Sequence, residues 1–169
     1  MATSTRDPEV QKVTTPSLFA AVIDDARDLA IERGLAALAL ALCRQVIEDG
    51  AWDQDFIRTY TDGALLVRRD TGKRLREADI VAGGSPDKYV AGESDGPGAI
   101  VVGTDRLGFE GRVTPALEGT FDVRLVDGTA IEATPGFALV RAELDRWTPE
   151  AAEEVTGIAA ETIVKVARA

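Results

Sequence analysis

The spacing of apolar residues changes twice along this chain, and those two changes set its fold class. From Ser17, Leu18, Val22, Ala26, Leu29 and Ala30 recur at helical intervals, and Leu35, Leu38, Ala39, Leu42 and Val46 continue the period. This spacing predicts one amphipathic helix ending near Gly34 and a second from about Leu35 to Glu48, with Gly50 as its stop. Asp53 is placed to cap a third, short helix through Tyr60, with Phe56 and Ile57 turned inward. After Gly63 the pattern shortens to strands and turns, and from Thr134 it returns to helical spacing. Helices at both ends around a small antiparallel β region define an α+β chain.

In the central region Leu65 to Arg68 reads as a strand, Asp70-Thr71-Gly72-Lys73 as a turn and Arg74 to Ile80 as a second short element. Residues 82–98 carry Gly83-Gly84, Ser85-Pro86, Gly92 and Gly96-Pro97-Gly98 among acids, the composition of a long surface loop. Ala99 to Val102 is a short apolar strand. Thr120 to Leu125 alternates, with Phe121, Val123 and Leu125 opposite Asp122 and Arg124. The turn Val126-Asp127-Gly128 suits a three-residue loop with Gly128 left-handed, which pairs Leu125 with Thr129 and Val123 with Ile131. A two-residue loop would instead set Ile131 against Arg124, so the hydrophobic pattern selects the register.

Thr134-Pro135 reads as an N-cap and first helical proline, opening a helix through Phe137, Val140, Leu144 and Trp147. Thr148-Pro149 repeats the signal for a helix stopping at Gly157. A last helix runs from about Ala159 with Ala160, Ile163, Val164 and Ala167 inward.

The 169 residues suit one domain, expected over 15–169 after a disordered leader at residues 1–14 that has no periodicity. Because 45% of the residues are apolar but only 5% aromatic, the core must come from small aliphatic side chains. A net charge of −10 repels a phosphate backbone, which argues against a nucleic-acid partner. The lone Cys43 excludes an internal disulfide and suits a reduced, cytoplasmic setting. No export signal and no membrane segment of about 18 apolar residues is visible.

With no histidine, Ser-His-Asp and Cys-His catalysis and imidazole-bound zinc are excluded. Cys43, mid-helix between Leu42 and Arg44, reads as a buried packing residue. Asp24-Asp25, Glu48-Asp49 and Glu153-Glu154 are neighbours whose side chains diverge by about 100° on a helix, so they read as solvated faces and not as acid/base pairs. The glycine pairs lack the strand–helix context and lysine of a phosphate cradle. Arg68, Arg69, Lys73, Arg74 and Arg76 concentrate positive charge, to meet the chain's own acids or, alternatively, an acidic partner or nucleotide phosphate. The residues assign no catalytic group and no metal ligand, and leave cofactor-binding residues unknown.

Three segments in order carry a family resemblance. Ala36-Ala37-Leu38-Ala39-Leu40-Ala41-Leu42 leads to Val46-Ile47-Glu48-Asp49-Gly50 and Asp53 to Thr61. Leu65-Leu66-Val67-Arg68-Arg69-Asp70-Thr71-Gly72 follows, with Leu75-Arg76-Glu77 and Asp79, and then Thr148-Pro149-Glu150 with Val155-Thr156-Gly157-Ile158. Residues 36–168 so marked resemble an interior slice of the large subunit of molybdopterin oxidoreductases, the dimethyl-sulfoxide-reductase family. The middle segment looks most like the branch of ethylbenzene dehydrogenase and selenate reductase.

The resemblance implies a longer protein in which two molybdopterin guanine dinucleotides hold molybdenum, usually with an iron–sulfur cluster. It also implies a Gly-Thr-Asp turn whose aspartate binds guanine, but Arg33-Gly34-Leu35 stands at that position. The cluster cysteines and the molybdenum-ligand segment have no counterpart. The chain is therefore expected to be a segment or split part that scaffolds the cofactor region without binding the cofactor or catalysing alone; an interaction or assembly protein keeping this fold slice is the alternative. Its expected partners are other parts of an oxidoreductase, or a second copy.

Overall fold

The computed structural model describes residues 18–94, 100–103, 109 and 113–169, with side chains from residue 32 onward. The expected leader at 1–14, the segment Gly96-Pro97-Gly98, Ala99 and the side chains of residues 18–31, Asp24-Asp25 included, lie outside the described set.

The first correction to the sequence reading is at Gly34. A single helix, α1, runs from Leu18 to Glu48, where two were expected. A glycine costs a helix interior about 1 kcal/mol relative to alanine, and the alanine- and leucine-rich residues after it outweigh that cost. The buried stripe of α1 is also rotated from the expected face. Ala37, Ala41 and Gln45 are buried at intervals of four, whereas Leu35 is 68% exposed. Two alanines at the contact let neighbouring helices approach closely, and those neighbours are α5 (Pro149–Thr156) and α6 (Ala160–Ala167). Ala41, Ala152 and Ile163 form the buried centre of this helical layer, with Leu38, Leu42 and Ile158 packed around it.

Both C-terminal helices form as their punctuation requires. The Thr148 side chain accepts the Ala151 N–H at 3.2 Å, Pro149 fills the first turn, and Gly157 stops α5 in the left-handed region at φ 71°. A bidentate pair, Arg168 Nε to Asp49 Oδ2 at 2.7 Å and Nη2 to Oδ1 at 2.9 Å, fastens the end of α6 to the residue following α1. The Arg168 guanidinium holds the Asp49 carboxyl below its ordinary pKa.

Asp53 caps the short helix α2 (Gln54–Tyr60) by accepting the Phe56 N–H. Phe56 does not turn inward: it is 52% exposed and leans on Tyr60 with ring centroids 5.4 Å apart. Ile57, half-buried as expected, packs toward Phe137 and Ala64.

The β region holds two antiparallel sheets. Strands β1 (Leu66–Arg68), β5 (Ala130–Pro135) and β4 (Phe121–Arg124) form one in the order β1-β5-β4, and β2 (Val90–Gly92) pairs with β3 (Ile100–Val102) in the other. The β4–β5 hairpin takes the register that the hydrophobic pattern selects. Val123 pairs with Ile131, the Leu125 N–H donates to the Thr129 carbonyl at 2.8 Å, and Gly128 has φ 86°. Leu66, Leu75, Val90, Ala116, Phe121, Val123 and Ala133 make the main core between the sheets.

Two further expectations fail here. The 82–98 loop contains β2, whose Val90 and Ala91 are fully buried. Gly92 closes that strand, where a glycine is needed for the approach of the Phe121 ring and not for mobility. Thr134-Pro135 ends β5 instead of capping a helix. The Thr134 hydroxyl donates to the Gly119 carbonyl, and α4 opens only at Gly136 and runs to Leu144. Phe137 and Leu144 are buried as their spacing suggests, but Val140 is 54% exposed. Between β1 and β2 the one-turn helix α3 (Glu77–Ile80) forms where a short element was expected. Among the described residues, no helix is long and apolar enough to cross a membrane.

Candidate functional site

The basic residues singled out in the sequence meet at one place. The turn after β1 folds back on itself, the Arg68 N–H donating to the Lys73 carbonyl and the Leu75 N–H to the Leu66 carbonyl, so residues 68–76 wrap the outer edge of β1. Gly72, with φ 68°, makes that reversal possible without strain. Facing this turn is α4, and between them lies a cleft of about 680 Å³ lined by Arg68, Lys73, Arg74, Arg76, Asp79, Leu139 and Val140 among others.

Its electrostatics are largely settled internally. Arg68 grips Asp70 with both arms of its guanidinium, at 3.1 and 2.7 Å, and lies 3.8 Å from Asp79. That pairing lowers the Asp70 carboxyl and raises the Arg68 guanidinium. Arg69 binds Glu132 at 2.9 Å and Arg74 pairs with Asp62. Arg76 lies over the Tyr89 ring, 3.7 Å from its centroid, and donates to the Pro86 carbonyl. Lys73 has no ion-pair partner among the described residues. The reading that these cations serve the chain's own acids thus holds for Arg68, Arg69 and Arg74.

The remaining candidates scatter. Cys43 is exposed, which corrects its reading as a packing residue. It stands two positions past Ala41, roughly 200° around the helix, and so faces away from α5 and α6. Glu48 meets Arg44 at 3.7 Å, Asp49 meets Arg168, and Glu153 accepts the Ala160 N–H, so neither acid pair converges on a common point. Among the described residues no three Cys, Asp or Glu side chains gather as a metal site. A second cleft, of about 480 Å³, was not foreseen. It lies beside Trp52, Arg58, Phe121 and Arg141, with Trp52 stacked on Phe137 at 4.5 Å and Arg141 bound to Glu118 at 3.0 Å. Its members run from Trp52 to Arg141 in the chain, so no local signal in the sequence announces it.

The architecture is α+β, with helical and sheet layers and no assembled reaction centre among the described residues. No protein-family model matches the chain. It is 34% identical over 158 residues to the perchlorate reductase subunit alpha of Dechloromonas aromatica, covering 78% of this chain and 17% of that protein. It is 37% identical over 127 residues to the dimethylsulfide dehydrogenase subunit alpha of Rhodovulum sulfidophilum, covering 72% of this chain and 13% of that protein. A respiratory nitrate reductase subunit alpha of Haloferax mediterranei matches at 30% over 145 residues. The chain therefore spans only 13–17% of the length of these relatives. The homologues are molybdopterin oxidoreductase large subunits, which supports the dimethyl-sulfoxide-reductase family at the level of the family and not of one branch.

Among the described residues, those at the turn where the resemblance implies a guanine contact do not fit one. Leu35 stands where the resemblance implies a guanine-binding aspartate, and a leucine side chain accepts no hydrogen bond from the adjacent N–H donors of guanine. The expected turn is also gone, since Gly34 and Leu35 lie inside α1, where backbone N–H groups are spent on the helix. The nearest carboxylate before it, Glu32, sits about one helical turn away.

Proposed function

We propose that this chain is a segment of a molybdenum-bis(molybdopterin guanine dinucleotide) oxidoreductase large subunit that scaffolds the cofactor region and is not catalytic alone. The observation that carries the reading is the match of 72–78% of this chain to 13–17% of each relative, by a slice with its own buried core. The ethylbenzene dehydrogenase and selenate reductase branch is our finer assignment. It rests on the segment from Leu65 to Gly72 and on the likeness to the dimethylsulfide dehydrogenase subunit. A cytoplasmic setting is proposed on the single unpaired cysteine.

A second reading, an interaction or assembly protein that keeps this slice, draws on the exposed apolar side chains. Tyr60 is 74% exposed, Leu35 68% and Val166 57%, surface that a neighbouring body would cover. Both readings predict no autonomous cofactor domain. Titration of the purified chain with molybdopterin guanine dinucleotide in a calorimeter is expected to give no binding heat at concentrations well above the micromolar range. A one-to-one isotherm would overturn both. Copurification with separately encoded cluster-binding and molybdenum-binding chains separates them, since only the scaffold reading requires such partners.

A further inference from the structure

We infer that the cleft between the 68–76 turn and α4 is a docking surface for an acidic–apolar polypeptide segment, one that sets carboxylates beside aliphatic side chains. The inference does not rest on the family reading, because it follows from charge and shape alone. On a chain of net charge −10, one wall of this cleft carries Lys73 and Arg76, neither held by a carboxylate among the described residues, beside Arg68 and Arg74, which Asp70 and Asp62 hold, and Asp79. The other wall is apolar: Leu139 is 46% exposed and Val140 54%, adjacent aliphatic side chains on the open side of α4. Carboxylates would meet the first wall and aliphatic groups the second, which is the charge and surface complementarity that guides association of polypeptides.

A phosphate ligand fits the same cleft poorly. The first two N–H groups of α4 are already used, Gly136 donating to the Leu65 carbonyl at 3.0 Å and Phe137 to the Gly63 carbonyl at 2.8 Å. The helix therefore offers no cradle of free donors. Two of the arginines able to make a bidentate grip are already engaged, Arg68 with Asp70 and Arg74 with Asp62. What is left is the charge of Lys73 and Arg76 along the wall, matched to carboxylates at two points. Strand addition is also closed off, because residues 73–75 occupy the outer edge of β1. Docking must then proceed through side chains.

The test uses the whole chain and a fluorescently labelled synthetic peptide that alternates glutamate and leucine, read by anisotropy. Saturable binding that weakens as salt is raised is expected. Lys73→Glu and Leu139→Ser alter exposed side chains and leave the buried core intact. Each is expected to weaken binding by about fivefold, and the double variant by roughly the product. Circular dichroism of the variants should match the parent. The inference is overturned by absence of saturable binding, by equal binding to parent and variants, or by inorganic pyrophosphate displacing the peptide at concentrations where acetate does not. The last result would mark a phosphate site.

Discussion

Gly92→Ala is expected to destabilise the protein by about 3 kcal/mol or more, at the upper end of what one added carbon does in a packed core. Gly92 ends β2 with an ordinary negative φ, so alanine meets no backbone strain there, and on chain entropy alone it would stabilise slightly. Sterics decide the sign. A Cβ at this position would overlap three carbons of the Phe121 ring, and that ring is only 7% exposed and enclosed by the main core. The backbone has little room to retreat, because the Gly92 carbonyl accepts the Ala116 N–H at 2.8 Å while Gly92 pairs with Ile100. Urea unfolding measures the loss. The double variant Gly92→Ala with Phe121→Leu should recover part of it, since removing the ring removes the overlap. A single variant within about 0.5 kcal/mol of the parent, the range of ordinary surface changes, would show that β2 and Phe121 do not meet as described.

Ile163→Ala is expected to cost about 3 kcal/mol, with the damage concentrated in α6. The range for such truncations is roughly 2–5 kcal/mol. Ile163 is fully buried, and its buried companions in the helical layer are Ala41 and Ala152, which have almost no apolar surface to compensate. Among the described residues it is therefore the one large buried side chain joining α6 to α1 and α5. The Arg168–Asp49 pair remains in the variant but is exposed, and exposed pairs contribute little. Amide exchange in α6 should speed up well beyond that in β4 and β5, because the helix opens locally before the sheets do. Val164→Ala, one position along and only half-buried, should leave the exchange of α6 near that of the parent. Equal acceleration of α6 exchange, or equal loss of stability, in both variants would contradict the placement of the α6 buried face.

The parts of the fold legible in the sequence are those fixed by local chemistry. Thr148-Pro149 and Gly157 bound α5, Asp53 caps α2, and the turn at Gly128 follows from the need to keep Ile131 on the apolar face. Most of the failures share a cause, which is that partners distant in the chain outweighed a local signal; Gly34 is the exception. Gly34 is tolerated because the residues around it favour helix strongly. Thr134 bonds to Gly119 instead of a helix N-terminus, and Gly92 serves the ring of Phe121. Cys43 faces outward because Ala37 and Ala41, not the larger leucines, form the contact stripe of α1. The basic concentration was visible as composition. Its wall of Leu139 and Val140 was not, because the spacing of Phe137, Val140, Leu144 and Trp147 implied a buried Val140.

On the function proposed above, these residues form walls beside a metal cofactor without the groups that hold it. Molybdenum analysis of the purified chain, produced in a host that makes molybdopterin guanine dinucleotide, tests this most directly. The account predicts molybdenum far below one atom per chain. A stoichiometric content, or redox turnover without an added subunit, would contradict it.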